Sequence, residues 1–102
     1  MKQIIIPFQA RFREAMLEDR KTCTSRTRRM GNYGDYFLAF GKAFEMKLVI
    51  PFPIGFVART LWKQEGCESP VDFRLVWKAL HPRKRYDPEQ KVWVHWFRRI
   101  RR

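Results

Sequence analysis

A chain of 102 residues has the length of one domain, and 45% hydrophobic with 16% aromatic residues is enough apolar material for a small core, which excludes a disordered chain. Charge is the outlying quantity: 22 Lys and Arg against 10 Asp and Glu leave a net +12. Such a balance says nothing about fold, but it attracts polyanions, with nucleic acid the first candidate partner and an anionic membrane the second.

Residues 3–8 open the chain with a β-branched run stopped at Pro7, which reads as a strand. Residues 9–19 read as a helix, because Phe8, Phe12, Ala15 and Met16 share a face. The Thr-rich segment 21–27 reads as a second strand. A basic turn-rich loop follows at 27–34, with Gly31, Asn32 and Gly34 supplying permissive backbone. Residues 35–41 and 43–52 read as two further strands. In the second, Phe44, Met46, Leu48 and Ile50 alternate with Ala43, Glu45, Lys47 and Val49, so one face is apolar. Residues 55–65 read as a helix with Ala58, Leu61, Trp62 and Glu65 on one face and Gly66 as its stop. Another helix begins at Ser69 as N-cap and Pro70 in the first turn, keeps its period through Phe73, Val76, Trp77 and Leu80, and ends at Pro82. After a charged loop at 81–90, residues 91–97 read as a central strand with aromatics on both faces, and the chain closes on a basic tail.

Strands that cluster in the middle, with helices that do not alternate with them, argue against a doubly wound sheet. They predict a single α+β domain over 1–102: a small, mostly antiparallel barrel with helices packed outside. The two cysteines, Cys23 and Cys67, are far apart and form no Cys-x-x-Cys pair, and two scattered histidines do not complete a metal site. No metal or cofactor is expected. The opening apolar run is too short for a signal-peptide core and no stretch suffices for a transmembrane helix, so the expectation is a soluble cytoplasmic protein, not a membrane one.

Two constellations carry chemistry. The first is residues 19–26, Asp-Arg-Lys-Thr-Cys-Thr-Ser-Arg. In a strand Lys21 and Thr24 point to opposite faces, unless Lys21 still belongs to the preceding turn, so spacing alone is also that of a solvated strand start. Glu65 continues the apolar stripe of its helix, where a carboxylate needs a partner. If that partner is Lys21, the result is either a structural ion pair or a polar site for acyl chemistry, with a Thr hydroxyl as nucleophile, a Lys as base or charge stabiliser and a Glu to tune it. Cys23 has no histidine near it in sequence and reads as core.

The second constellation is basic. Arg11, Arg13, Arg20, Arg28 and Arg29 lie near the first in sequence; Arg83, Lys84 and Arg85 form a loop cluster; Arg98, Arg99, Arg101 and Arg102 end the chain. Arginine forks suit phosphates and stack on bases. Tyr33, Tyr36 and Trp62 are candidate stacking partners for an unpaired base, against the alternative that aromatics of this kind build the core.

Residues 8–26, followed by Gly34-Asp35-Tyr36-Phe37, resemble the opening of the ASCH domain family, and 64–82 with 87–97 resemble its helix–helix–strand ending. The resemblance spans almost the whole chain and implies a PUA-like barrel with a cleft between barrel and helices, where the strand after the first helix begins. The family pattern Gly-x-Lys-x-x-Glu/Thr-x-Arg falls on Asp19, Lys21, Thr24 and Arg26. One branch deacetylates N(4)-acetylcytidine with a Lys, Thr and Glu, which the resemblance places at Lys21, Thr24 and Glu65, with Arg26 fixing the site or holding the ligand. Asp19 departs from the pattern's Gly, though Asp tolerates a left-handed turn. Other members are linked to RNA binding and to RNA cleavage. The implied partner is therefore RNA or a cytidine-type nucleoside, with Arg20, Arg26, Arg28, Arg29, Tyr33, Arg83, Lys84 and Arg85 as binding residues. The competing expectations are a non-catalytic RNA-binding module and an RNA-cleaving enzyme with Lys21 as base.

Overall fold

A computed structural model describes residues 1–101, so Arg102 of the basic tail lies outside the described residues. Four strands, β1 (Cys23–Arg26), β2 (Tyr36–Ala39), β3 (Lys42–Pro53) and β4 (Lys91–Arg99), form one antiparallel sheet in the order β1-β4-β3-β2. The sheet curls into a half-barrel and carries the helices against it, the α+β architecture the element order predicts. β4 is central, as its two-sided aromatic pattern requires. It also runs on to Arg99, so Arg98 and Arg99 belong to the sheet and not to a tail.

The first expected strand does not form. Residues 3–8 make only a parallel bridge between Gln3 and Tyr36, with Ile4 N–H donating to Tyr36 O and Tyr36 N–H to Lys2 O. Pro7 has no N–H to extend the ladder, and the segment turns inward so that Ile6 is buried while Ile5 faces out. The helix expected at 9–19 is a 3-10 turn, Ala10–Phe12, running into α1 (Arg13–Leu17), with Phe12, Ala15 and Met16 on its buried side. β2 and β3 are joined at Phe40 and Gly41, both at positive φ, 53° and 76°. That is the backbone of a tight primed turn, so β2 ends at Ala39.

β3 corrects the sequence pattern in one place. A bulge between Met46 and Leu48 leaves Lys47 out of the ladder. Beyond it the alternation is out of step, and Leu48 is 47% exposed where an unbroken strand would bury it beside Met46. On the inner side Phe37 stacks on Phe8 and Phe44 at 5.4 Å each and meets the edge of Phe97 at 5.3 Å. Such aromatic pairs add specific geometry to the area they bury.

The segment read as one helix over 55–65 is α2 (Ile54–Phe56) continuing as a π-helical turn, Val57–Leu61, then turns to Gly66. Of the expected stripe Ala58 and Glu65 are buried, while Leu61 and Trp62 are half-buried and Val57 takes their place inside. α3 (Pro70–Leu80) starts as predicted: Ser69 Oγ accepts from Asp72 N–H at 3.0 Å and Pro70 occupies the first turn. Phe73 and Trp77 seat it on the core. Among the described residues no helix is long and apolar enough to cross a membrane.

Candidate functional site

The turn that carries Lys21 is built backwards from α1. Asp19 stands at φ 60°, the left-handed conformation for which the motif favours Gly, and Asp adopts it. The chain then folds back so that Arg20 N–H and Lys21 N–H both donate to Ala15 O, at 2.7 and 2.9 Å. Lys21 thus precedes β1, and strand alternation does not govern where it points. Thr22 and Cys23 N–H groups donate to Gln64 O at 2.8 and 3.1 Å, which ties this turn to the one bearing Glu65. Gly66, at φ +87°, lets the second turn close: a Cβ there would lie 3.0 Å from Lys21 Cβ.

The result is a buried ion pair. Lys21 and Glu65 are only 3% and 4% exposed, and Nζ lies 3.5 Å from Glu65 Oε1. The Lys21 amine also donates to two backbone carbonyls, Glu65 O at 2.6 Å and Cys23 O at 2.9 Å, and sits over the Phe12 ring at 4.5 Å. Burial lowers the Lys21 pKa from its ordinary value, and the Glu65 carboxylate opposes that shift without cancelling it. The second carboxylate oxygen, Oε2, accepts from Ser25 Oγ at 2.6 Å and lies 3.8 Å from Cys23 Sγ. Burial pushes the Cys23 thiol well up and Cys67 to about 11, so neither is a thiolate nucleophile near neutrality.

Thr24 belongs to the other face of β1. Its hydroxyl accepts from Arg26 Nη1, and Arg26 also donates to Ser25 O at 3.0 Å and Pro7 O at 2.7 Å while covering the Phe8 ring at 5.2 Å. The structure therefore joins Lys21 to Glu65, and joins Thr24 to Arg26. The hydroxyl bonded to Glu65 is that of Ser25, a residue the sequence reading passed over. Alternation along β1 carried the signal: Cys23 and Ser25 share the face that meets Glu65.

Lys21, Thr24, Ser25, Arg26 and Glu65 border one cleft of about 410 Å³, between β1 and α3, whose opposite wall is Phe73, Val76, Trp77 and Leu80. That is within the roughly 300–1,000 Å³ of small-molecule sites. Of the expected binding residues only Arg26 lines it. Arg20 is exposed and paired with Glu18 at 3.0 Å and Glu14 at 3.6 Å. Arg28 is exposed; Arg29 donates to Gly31 O and Asn32 Oδ1 and covers Trp93 at 5.6 Å. Tyr33 is 75% exposed with Lys47 above its ring at 5.9 Å. Arg83, Lys84 and Arg85 are exposed in the loop after His81, which closes the end of the cleft. Among the other expected stacking aromatics, Tyr36 and Trp62 are half-buried. Among the described residues no cluster of His, Cys, Asp and Glu has the arrangement of a metal site.

Fully buried His95 fixes the back of β1. Its Nε2 accepts from Met30 N–H at 2.9 Å and its Nδ1 faces Thr24 O at 3.3 Å, a pairing that needs the neutral ring with hydrogen on Nδ1. Desolvation accordingly lowers its pKa below the ordinary 6.5. A depressed value gives the sign: above 6.5 both folded and unfolded chains hold neutral His95, and below it the unfolded chain takes the proton first. The urea midpoint should therefore fall between roughly pH 7 and 5, and the fall attributable to this ring should vanish in His95→Phe. Equal pH slopes for the two proteins would refute the assignment.

No family model and no curated protein sequence matches the chain. Solved structures do. The crystal structure of hypothetical protein PH0355 superposes with a TM-score of 0.72 at 17% identity, over 98% of this chain and 100% of that one. The ASCH domain from Lactobacillus crispatus JV V101 gives 0.68 at 10% identity, over 96% of this chain and 78% of that one. Protein EF3133 from Enterococcus faecalis V583 gives 0.62 at 15% identity, over 97% and 78%. Identities this low speak to architecture alone, and on architecture they agree with the topology above: the chain has an ASCH-like, PUA-type fold.

Proposed function

We propose that this ASCH-type domain is directed at RNA or nucleotides, that its cleft takes a cytidine-type base, and that it hydrolyses the amide of N(4)-acetylcytidine. The observation that supports this is a buried lysine with a lowered pKa, held against a buried glutamate on the wall of a ligand-sized cleft. The Lys21 ammonium has one hydrogen for each of its three acceptors, the two carbonyls at 2.6 and 2.9 Å and the Glu65 carboxylate at 3.5 Å, and burial eases the loss of a proton when the amine serves as base. In this reading Lys21, which lines the same cleft as Thr24 without being hydrogen-bonded to it, takes the Thr24 hydroxyl proton through a bridging water as Thr24 Oγ1 bonds to the acetyl carbon. The carbon–N4 bond breaks, the proton passes to N4, and cytidine leaves. Water then cleaves the Thr24 ester, releasing acetate and restoring the hydroxyl. Arg26, already bonded to Thr24 Oγ1, stabilises charge on that oxygen, and the apolar wall from α3 offers a face for the base.

The test is incubation with N(4)-acetylcytidine, with cytidine release followed by chromatography. Wild type should release cytidine. Lys21→Met and Thr24→Val should each lose at least about 100-fold in turnover, the scale of a lost general base or nucleophile, with circular dichroism reporting that they stay folded. Absence of release from folded wild type refutes the hydrolase. A different observation favours a non-catalytic RNA-binding module: net charge +12 with Arg28, Arg29, Arg83 and Arg85 exposed on two loops. In that case single-stranded RNA should bind with a steep salt dependence, and neutralising those four arginines should flatten the slope.

A further inference from the structure

We infer that Ser25 is a positioning residue of the cleft, whose hydroxyl fixes the Glu65 carboxylate so that its other oxygen is presented to Lys21. The inference rests on the reading of Lys21 and Glu65 as the working pair. Three observations carry it. Ser25 Oγ donates to Glu65 Oε2 at 2.6 Å, within the roughly 2.5–2.7 Å range of hydroxyl–carboxylate bonds, which are of the strong, charge-assisted kind. Both residues are nearly sealed from water, each at 4% exposure, so no solvent competes for the bond. The two carboxylate oxygens also have different neighbours: Oε2 faces Ser25 and Cys23, and Oε1 faces Lys21. Of these only Ser25 can hold the carboxylate's rotation, since a thiol at 3.8 Å is a weak donor and the lysine contact at 3.5 Å is long. Without Ser25 the carboxylate is free to swing about its last torsion, and the charge opposite Lys21 is lost in direction if not in presence.

Lys21 is the reporter of this geometry. The titratable groups near it are Glu65, Cys23, Arg26 and Cys67, and of these Glu65 does most to favour the ammonium form. Releasing the Glu65 carboxylate should let burial lower the Lys21 titration further.

The experiment compares wild type, Ser25→Ala and Ser25→Thr. The Lys21 Nζ titration is followed by nitrogen NMR on lysine-labelled protein, and kcat and KM are measured on N(4)-acetylcytidine. Ser25→Ala should titrate at lower pH than wild type and lose on the order of 10-fold in kcat, the weight of one hydrogen bond to a charged group, with KM unchanged. Ser25→Thr keeps the hydroxyl on a strand position that suits a β-branched residue, and should restore both. An unchanged Lys21 titration in folded Ser25→Ala overturns the inference. If wild type hydrolyses nothing, the hydrolase reading fails, and the Lys21 titration still decides on Ser25 by itself.

Discussion

Glu65→Ala should destabilise the fold by about 3–5 kcal/mol at neutral pH, the usual loss when one partner of a buried ion pair is removed. The reason lies in what stays behind. Lys21 Nζ keeps its two carbonyl acceptors but loses its carboxylate partner, and Ser25 Oγ loses its acceptor in the same step. Lys21 can limit the damage by shedding its proton. Its folded pKa is already lowered by burial, and the Glu65 carboxylate is what resists that lowering. The sign follows. Between the folded value and the ordinary 10.5 the native state holds fewer protons than the unfolded one, so stability rises with pH across that window. In Glu65→Ala the window opens at lower pH, so its deficit against wild type should shrink as pH rises from about 7 towards 9.5. Lys21→Met with Glu65→Leu, which removes both charges, should recover most of the loss, because a packed apolar pair commonly matches a buried ion pair. Urea denaturation at the two pH values, completed as a double-mutant cycle, measures all of this. A Glu65→Ala protein within about 1 kcal/mol of wild type at neutral pH would mean that water reaches the pair and screens it.

Much of the fold was legible from local pattern. The Ser69-Pro70 start of α3 is a capping signal that depends on its own first turn, and the structure reproduces it bond for bond. β4 was legible as central because Trp93 to Phe97 offers no polar face. What failed was what depends on partners distant in sequence. Residues 3–8 have the composition of a strand, but only Gln3 bridges to Tyr36. The bulge at Lys47 is a register adjustment between β3 and β4, and nothing in the spacing of Phe44, Met46 and Leu48 announces it. The π-helical turn at Val57–Leu61 is likewise hidden in a sequence whose apolar stripe fits an ordinary helix. At the site, the argument that a carboxylate on an apolar stripe needs a cation identified Glu65, and Lys21 is that cation. The alternation objection applied to Thr24, which faces Arg26, and not to Lys21, which precedes the strand. Ser25 was missed because its importance comes from a carboxylate 40 residues away in the chain.

Gly66→Ala should cost about 2–4 kcal/mol, and its comparison with Gly34→Ala separates the two reasons. Both glycines sit at nearly the same left-handed φ, +87° and +88°. An alanine at either position therefore carries the same backbone penalty, about 1–2 kcal/mol. At Gly34 nothing lies within 4 Å of the added Cβ, so that penalty is the whole effect. At Gly66 the Cβ meets Lys21 Cβ at 3.0 Å, Lys21 Cδ at 3.2 Å and a Phe12 ring carbon at 3.2 Å. None of these is the free end of a flexible side chain: Phe12 is buried in the core, and the Lys21 stem is pinned at its far end by two carbonyls and a carboxylate. Overpacking against such neighbours adds a further ~1–2 kcal/mol. The same push displaces the Lys21 stem, and a displacement of even a fraction of an ångström misaligns an amine held in three directions. Gly66→Ala should therefore lower turnover of N(4)-acetylcytidine where Gly34→Ala leaves it intact, and urea denaturation of the pair should give unequal losses. Equal losses in the two proteins would show that the Lys21 turn yields freely to the methyl group, and that the close approach of the two turns does not hold the amine in place.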